Sequence, residues 1–442
     1  MTTDNSRQKR GKLGCLLRVL LGGIGLILLA AILLFMAYNH DLYKGQPTNE
    51  GTLVIRGGTL FDGTGSAPYK SSTIVINKER IVCVGNGCEI PSDATVINAM
   101  GLSIMPGLID LHVHFGAPSK ENAGLSFPLM IWDYVRQRPA VRRALLEAGV
   151  TTIRSVGDVK DGILRLKKRI ASGELAGPRV YCVGPIFTAP GGHPVATHLK
   201  GNPWLIEGAT RQVTHPEEAV AEVETLAREG VDGIKAVYGG RKGRLPRLSL
   251  DVLQAVIDVA HKRGLWVAVH TGSLEEVRDA VQAGANTIEH GVTYGSHLDS
   301  ETIELLREKN VTYIPTLAVD EAKLGPEDPA IRLLMDNTNA AKKGGVRIGS
   351  GTDTSGPHMS FGSSVHHELE LLVQSGLSPE EALLAATRDA AIALQADKDL
   401  GTIESGKIAD LLLIDGQPWE QISDVRTIRL VIQEGRVVVD KR

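Results

Sequence analysis

Residues 104–115 read IMPGLIDLHVHF, an apolar run that ends in histidines, and comparable runs recur along the middle of the chain. The others are GVTTIRSVG, PRVYCVGPIF, VDGIKAVYG, LWVAVHTG, NTIEHG, VTYIPTLA and GVRIGSGTD. Helical stretches separate them, and two begin with capping boxes, Ser273-Leu-Glu-Glu276 and Ser378-Pro-Glu-Glu381. Eight strand–helix units within residues 103–395 predict a (β/α)8 TIM barrel of the α/β class. An open doubly wound sheet is the alternative, but no Gly-x-Gly-x-x-Gly turn follows the first strand.

Short strands with tight turns occupy both flanks of this middle part. Residues 51–102 contain TLVIRGGTLFDG, STIVINKERIVCVGNG and ATVINAM, and residues 396–442 contain KIADLLLIDG and IRLVIQEGRVVVD. Short apolar runs bounded by Gly, Asn and Asp are typical of antiparallel strands. Two strand-rich ends around a long middle predict one small β domain that is built from both termini.

An uncharged apolar segment precedes the β domain at residues 19–38, which read VLLGGIGLILLAAILLFMAY. A helix of this length spans ~30 Å, the thickness of the bilayer hydrocarbon. The basic residues before it outnumber the acidic Asp4; they are Arg7, Lys9, Arg10, Lys12 and Arg18. The positive-inside rule therefore predicts a single-pass membrane protein with a cytoplasmic N-terminus. Its segments would be a cytoplasmic basic tail (1–18), a transmembrane anchor (19–38) and a linker (39–50). The catalytic domain would lie outside the cytoplasm, in the periplasm or the extracellular space. A cleaved signal peptide is the alternative, but cutting after Ala37 would put the bulky Phe35 at the −3 position.

The composition of the 442 residues excludes several classes of protein. Lys and Arg number 48 against 51 Asp and Glu, which argues against a nucleic-acid partner because such proteins carry a basic excess. The cysteines number 4, too few for a disulfide scaffold. Cys83 and Cys88 flank a Gly-Asn-Gly turn, so a disulfide across this hairpin would be compatible with an exported domain.

Potential metal ligands stand at the carboxyl ends of the apolar runs, where barrel enzymes carry their chemistry. The first run ends in His112-Val-His114, and residues two apart on a strand point to the same face. Later runs end in the further candidates Lys235, His270, His290 and Asp353. Packing alone would explain one such residue, but it does not explain six at the same end of their strands.

These residue types suit two divalent metal ions, with zinc as the preferred ion, because neutral imidazoles and carboxylates bind such ions. The predicted ligands are His112, His114 and Asp353 for one ion, and His270 and His290 for the other. Burial lowers the pKa of a lysine, so the free amine of Lys235 can take up carbon dioxide and become a carbamate that bridges both ions. A hydroxide shared by two cations is a nucleophile at neutral pH. Asp353 is the predicted catalytic residue that moves its proton to the leaving group.

Three further features near the strand ends are candidates for substrate contact. Tyr238 lies three residues after Lys235, and His193 follows Gly-Gly in the loop after the third strand. Residues 241–247 read RKGRLPR, and their positive charges could attract a carboxylate. A structural role is the alternative for each: a half-buried aromatic ring, an ordered loop and a solvated loop.

The motif PGLIDLHVH, the strand-end lysine, the two later histidines and GTD together resemble the amidohydrolase superfamily. The stretches GPIFTAPGGHP, ELELLVQSGLSPEEALLAATRDAAIAL and LGTIESGKIADLLLID are similar to the branch of imidazolonepropionase-like amidohydrolases and Xaa-Pro dipeptidases. The resemblance extends from about residue 52 to the C-terminus. It implies a barrel with two metal ions, flanked by a β-sandwich made from both termini. Lys235 favours the peptidase-like members over those that use one metal.

The sequence therefore predicts a membrane-anchored, metal-dependent, peptidase-like hydrolase of the C–N bond in a small-molecule amide or a dipeptide. Hydrolysis of a cyclic amide or a lactone on the same metals is the enzymatic alternative. A catalytically inactive barrel that serves as a binding or scaffold domain is the alternative from another class. The set of charged ligands argues against an inactive barrel, since buried charge is costly unless it is paired or bound. The substrate and the oligomeric state stay open.

Overall fold

The computed structural model describes residues 19, 21–33, 36, 45, 51–115, 138–354 and 359–442, and these form an α/β fold with mixed sheets. The strands are β1 (Thr52–Leu60), β2 (Tyr69–Asn77), β3 (Arg80–Val84), β4 (Thr95–Asn98), β5 (Ser103–Pro106), β6 (Leu108–Val113), β7 (Val150–Ser155), β8 (Arg179–Cys182), β9 (Ile186–Thr188), β10 (Thr210–Gln212), β11 (Gly233–Val237), β12 (Trp266–His270), β13 (Thr287–Glu289), β14 (Thr312–Ile314), β15 (Arg347–Ile348), β16 (Leu411–Ile414), β17 (Ile428–Gln433) and β18 (Arg436–Asp440). The helices are α1 (21–33), α2 (138–147), α3 (Lys160–Ala171), α4 (Pro203–Ala209), α5 (Pro216–Glu229), α6 (Leu250–Lys262), α7 (Leu274–Ala283), α8 (Ser300–Glu308), α9 (Leu317–Leu324), α10 (Pro329–Lys343), α11 (Ser363–Gln374), α12 (Pro379–Ala385) and α13 (Arg388–Ala393).

Both ends of the chain contribute strands to one eight-stranded sheet, with the order β18-β17-β16-β5-β1-β2-β3 and with β4 paired to β1. Strands β16 and β5 are antiparallel, and Leu411 lies opposite Pro106. Ile55, Ile104 and Leu413 belong to the buried apolar cluster of this sheet. The C-terminal strands are therefore added directly to the N-terminal ones. At the far edge, a disulfide joins Cys83 of β3 to Cys88 across the predicted turn.

Two parallel sheets are formed by the middle of the chain. The larger has the order β10-β9-β11-β12-β13-β14-β15, and the smaller has the order β6-β7-β8. Each of the predicted apolar runs contains a strand of these sheets. The sheets meet beside β6, where the N–H of Leu111 donates to the carbonyl of Ser350 at 3.0 Å and Val113 forms a bridge with Thr354. Because the described strands form two sheets, closure into a single barrel stays a prediction.

Two helices begin where the sequence indicated, and the helices cover one face of the larger parallel sheet. Both predicted capping boxes are present on α7 and α12. Ile234 and Ala236 of β11 belong to the same buried apolar cluster as Val256 of α6. Side chains alternate along a strand, so Lys235 and Val237 point to the other face, where they line a cavity. The strand thus separates an apolar layer under the helices from a polar site.

The predicted transmembrane anchor over residues 19–38, and the membrane localisation that follows from it, are wrong. Within the described ranges, the chain has no helix that combines the length and the apolar character needed to cross a bilayer. The predicted tail (1–18) lies outside the described residues, as does the predicted linker (39–50) apart from residue 45.

Candidate metal centre

A cavity of about 800 Å³ opens at the carboxyl ends of the parallel strands. His270 is the last residue of β12, and His290 follows β13 directly. All the predicted metal ligands line this cavity: His112, His114, Lys235, His270, His290 and Asp353. They meet because neighbouring parallel strands are in register; Val237 lies opposite His270, and His270 opposite Glu289.

The imidazole rings form a row that ends at a carboxylate. Ring centroids are 4.4 Å apart for His270 and His290, 4.9 Å for His290 and His112, and 5.4 Å for His112 and His114. Oδ1 of Asp353 lies 3.2 Å from Nε2 of His114 and 3.7 Å from Nε2 of His112. Ligand atoms of His112, His290 and Asp353 all lie within 4.8 Å of one another. A divalent ion could therefore contact these three residues after small side-chain adjustments.

Three of the imidazoles are oriented by a second contact at Nδ1. The partners are Oε2 of Glu289 for His112 at 2.6 Å, the carbonyl of Gly157 for His114 at 2.9 Å, and Oγ1 of Thr316 for His290 at 2.6 Å. A carboxylate or a carbonyl can only accept, so His112 and His114 donate from Nδ1. In the neutral form of each ring, Nε2 then carries the lone pair that a metal ion needs.

Glu289 was not predicted from the sequence, but it contacts one of the predicted metal ligands, His112. Its side chain is fully buried, and its Oε1 accepts a hydrogen bond from Nη2 of Arg154 at 2.7 Å. Burial opposes ionisation, but the charges of Arg154 and Lys235 hold the pKa of Glu289 well below its ordinary value. A signal was present in the sequence: a glutamate stands inside the apolar run NTIEHG, where a charge must find a partner.

Asp110, also missed, ties together the strand ends that carry His112 and Asp353. Its Oδ1 accepts from the backbone N–H groups of His112 at 3.2 Å and Thr352 at 3.0 Å. The N–H of Asp353 donates to the carbonyl of His112 at 2.7 Å. His290 and Asp353 have φ angles of 65° and 52°, in the left-handed region that non-glycine residues seldom adopt. The chain therefore turns sharply at both ligands.

Burial keeps most of the imidazoles neutral. It lowers the pKa of His112 to about 4, and it lowers the pKa values of His270 and His290 well below the ordinary value. His114 differs, because its hydrogen bond and its attraction to Asp353 outweigh burial and raise its pKa. Despite its burial, Asp353 has a strongly lowered pKa, because it interacts with His114 and His112. Neutral imidazoles beside an ionised carboxylate are the protonation states that metal binding requires.

Lys235 is a buried amine for which the described residues supply no hydrogen-bond partner. Its side chain is 2% exposed, and its Nζ contacts no acceptor in this part of the chain. Burial lowers its pKa to about 8, although the charges of Glu289 and Asp353 act in the opposite direction. An unpaired amine in such a place is costly, so its position calls for an explanation.

The two candidates for substrate contact lie on different sides of the sheet. His193 lines the cavity, with its ring centroid 4.9 Å from that of His270. Tyr238 does not appear among the described residues that line the cavity, and its hydroxyl donates to Oδ2 of Asp279 on α7 at 2.8 Å. The alternation of side chains that points Lys235 into the cavity points Tyr238 under the helices. The structure thus brings His193, but not Tyr238, to the predicted ligands.

The chain matches the family described as "Amidohydrolase family" over residues 103–438. Ochratoxinase of Aspergillus niger is 26% identical over 405 residues, which cover 84% of this chain and 82% of that protein. A crystal structure of a Xaa-Pro dipeptidase with methionine bound in the active site is 30% identical, with a TM-score of 0.75, and covers 88% of this chain and 99% of that one. A putative prolidase from Bifidobacterium longum is 29% identical, with a TM-score of 0.73, over 89% and 95% of the two chains.

The fold and the cavity thus define a hydrolase that acts on carbon–nitrogen bonds. The chain belongs to the amidohydrolase family. The resemblance drawn from PGLIDLHVH and the later strand-end residues is confirmed, including its Xaa-Pro dipeptidase-like character.

Proposed function

We propose that this chain hydrolyses an amide or dipeptide bond with the help of two divalent metal ions, zinc by preference. The residues that would hold the ions are His112, His114, Lys235, His270, His290 and Asp353. The observation that carries the proposal is the buried Nζ of Lys235, which lies among histidines and a carboxylate of the cavity wall and has no hydrogen-bond partner among the residues that the structure describes.

The donor set fits divalent cations in its chemistry. Three of the ligands lie close enough to share one ion, and the buried imidazoles are neutral. An ammonium at Lys235 would repel a metal ion, whereas a carbamate would attract it. The amine adds one carbon dioxide and releases one proton, which forms an N–C bond and leaves an anion with two oxygens. This modification would explain why the amine has no hydrogen-bond partner within the described ranges of the chain.

Bound ions would supply a hydroxide nucleophile shared between them and would polarise the carbonyl of the scissile bond. The protein itself would move the proton. Asp353 is ionised at the start of the cycle because of its low pKa, so its carboxylate can accept the proton of the attacking water and pass it to the leaving amine. Glu289 would hold His112 in place through its Nδ1 contact during these steps.

Positive charge on the cavity wall favours a substrate that carries a carboxylate. Arg241, Lys242 and Arg244, from the loop after β11, line the cavity together with Lys323 of α9. Such a cluster attracts anions into a cleft of low dielectric constant. The likeness to a Xaa-Pro dipeptidase supports a dipeptide over a lactone.

The finer domain organisation belongs to the same proposal. The parallel strands would close into a (β/α)8 barrel over residues 103–395, and residues 51–102 and 396–442 would form the β-sandwich. The hydrogen bond between Leu111 and Ser350 supports closure beside β6, and a barrel would place every ligand on one rim.

The proposal is tested by metal analysis and a substrate screen on the full chain. We expect about two divalent ions per chain, because the ligands suffice for two. Dipeptides, N-acyl amino acids, cyclic amides and lactones should be compared before and after chelation. Hydrolysis of an amide or dipeptide should vanish with the metal and return with zinc. The exposed His297 provides a control, because His297→Ala should change neither metal content nor rate. Activity that survives complete metal removal, or activity on lactones alone, would contradict the proposal.

A further inference from the structure

Asp320 is a carboxylate of the cavity wall that the proposed mechanism does not use. It lies in α9, the helix that follows β14, and it lines the cavity with Arg241 and Lys323. Among the described residues, no hydrogen bond or ion pair to the Asp320 side chain is formed. The carboxylate is therefore available to a ligand.

Helix capping is the usual reason for an acidic residue in a first turn. In α9 this task falls to Glu368 of α11, which is fully buried. Its Oε1 accepts from the N–H of Leu317 at 3.1 Å, and its Oε2 accepts from the N–H of Ala318 at 2.7 Å. Asp320 is thus not needed to cap the helix.

The surroundings of Asp320 favour a cationic partner. Burial raises its pKa to about 6, although Lys323 and Arg241 stabilise the ionised form. A partly desolvated carboxylate is costly unless a donor contacts it. Lys323, one turn further along α9, is directed elsewhere, with its Nζ 3.9 Å from Oδ2 of Asp353. The donor that is missing from the protein can come from the substrate.

The position of Asp320 also identifies which part of a substrate it would meet. Lys323, on the same short helix, reaches the carboxylate of Asp353, which is the predicted proton carrier. Asp320 lines the same cavity, close enough to this predicted proton carrier for the charge of Asp353 to raise the pKa of Asp320. In a dipeptide, the α-ammonium group is two bonds from the scissile carbonyl carbon, while the carboxylate lies on the opposite, leaving side.

We propose that Asp320 receives the free α-ammonium group of a dipeptide substrate, so that unblocked dipeptides are preferred over N-acyl amino acids. This inference rests on the proposed function, since it names the substrate class of the same site. It adds a specificity residue on α9 to the cationic loop after β11. Together they would recognise the two charged ends of an unblocked dipeptide.

The test compares the best dipeptide of the screen with its desamino analogue, in which a hydrogen atom replaces the ammonium group. The metal-loaded wild-type chain should prefer the dipeptide by about tenfold to a hundredfold in kcat/KM, the range expected for a charge-assisted hydrogen bond. Asp320→Asn should abolish this preference by raising KM for the dipeptide. It should leave kcat/KM for the desamino analogue and the metal content unchanged. Glu327→Gln removes an exposed carboxylate just beyond α9 and should alter nothing.

Three outcomes would overturn the inference: equal rates of the wild-type chain on both compounds, equal losses on both compounds in Asp320→Asn, or loss of metal from that variant. A different result would refute the proposed hydrolase function itself. If the metal-loaded chain cleaves neither dipeptides nor N-acyl amino acids, the proposed function falls. If it cleaves N-acyl amino acids but no dipeptide, the function stands and the role of Asp320 is refuted.

Discussion

Oε2 of Glu289 lies 2.6 Å from Nδ1 of His112, and both side chains are buried. The carboxylate can only accept, so the contact fixes the proton of His112 on Nδ1 and turns its Nε2 towards Asp353. Arg154 contacts the other oxygen of Glu289. One buried carboxylate therefore both balances a buried guanidinium and orients a predicted metal ligand.

Replacing this carboxylate should affect stability and metal binding together. We expect Glu289→Gln to destabilise the fold by about 3–5 kcal/mol, because Arg154 is left as an uncompensated buried charge. Metal affinity should fall by about tenfold to a hundredfold, because His112 loses its orienting partner. Urea unfolding and metal titration would measure the two effects. Glu301→Gln, at an exposed surface pair, serves as the control. Wild-type stability and affinity in Glu289→Gln would show that the contact is dispensable.

Lys235 provides the second prediction. Lys235→Ala should lose most activity and part of the metal, because the bridging carbamate cannot form. Lys235→Arg should do no better, because a guanidinium does not add carbon dioxide and stays charged. Bicarbonate or short carboxylic acids should restore part of the activity of Lys235→Ala by placing an anion in the gap.

The readouts for Lys235 are turnover and metal content, with and without the added acid. Lys309→Ala, at an exposed lysine, should match the wild-type chain in both. A Lys235→Ala enzyme with normal turnover and normal metal content would rule out the carbamate.

The strand-end ligands were predictable because side chains alternate between the two faces of a strand, and because the carboxyl ends of parallel strands meet at the same edge of a sheet. That rule placed His112, Lys235 and His290 on one cavity without knowledge of the loops. The same alternation directs the side chain of Tyr238, three residues after Lys235, under the helices, where its hydroxyl contacts Asp279. Its role in substrate contact stays a prediction.

Other features could not be derived from local patterns. Asp320 reaches the cavity because α9 packs against α11, where Glu368 binds its first turn, and this is a contact between distant parts of the chain. The prediction for residues 19–38 failed for another reason. Hydropathy reports the cost of exposing a segment to water, but it does not establish that the segment forms a membrane-spanning helix, and no such helix is found among the described residues.

Glu368 leads to a prediction about pH and stability. Burial raises its pKa to about 8, far above its ordinary value of 4.5. The folded chain therefore holds a proton that the unfolded chain releases. The stabilisation is complete below about pH 4.5 and is lost as the pH rises to about 8, a change on the order of a few kcal/mol.

The glutamine side chain of Glu368→Gln cannot titrate, so this variant should not lose stability in this way as the pH rises. The free energy of unfolding of the wild-type chain, minus that of the variant, should decrease between pH 5 and pH 8, the window between the unfolded and folded pKa values. Urea unfolding of both proteins at several pH values measures this difference in the free energy of unfolding. Glu420→Gln, at an exposed carboxylate, should follow the wild-type curve. A constant difference between the wild-type chain and Glu368→Gln would contradict the raised pKa.

Asp353 provides the last prediction, because two tasks are assigned to one carboxylate. It contacts Nε2 of His114 at 3.2 Å, and its low pKa keeps it able to accept a proton. Asp353→Asn keeps the shape and one oxygen ligand, but the amide cannot take up the proton. We therefore expect the variant to fold and to retain metal, while kcat falls by about 10²–10⁴, the usual contribution of general acid–base catalysis.

The effect must be separated from a simple loss of the metal ion. Metal content, Tm and kcat should therefore be measured on one preparation of Asp353→Asn, beside Asp336→Asn as an exposed control. A folded variant that has lost its metal would assign Asp353 to binding alone. A folded, metal-loaded variant with nearly full kcat would remove Asp353 from proton transfer. His193 would then be the next candidate, because its ring lines the same cavity, 4.9 Å from that of His270.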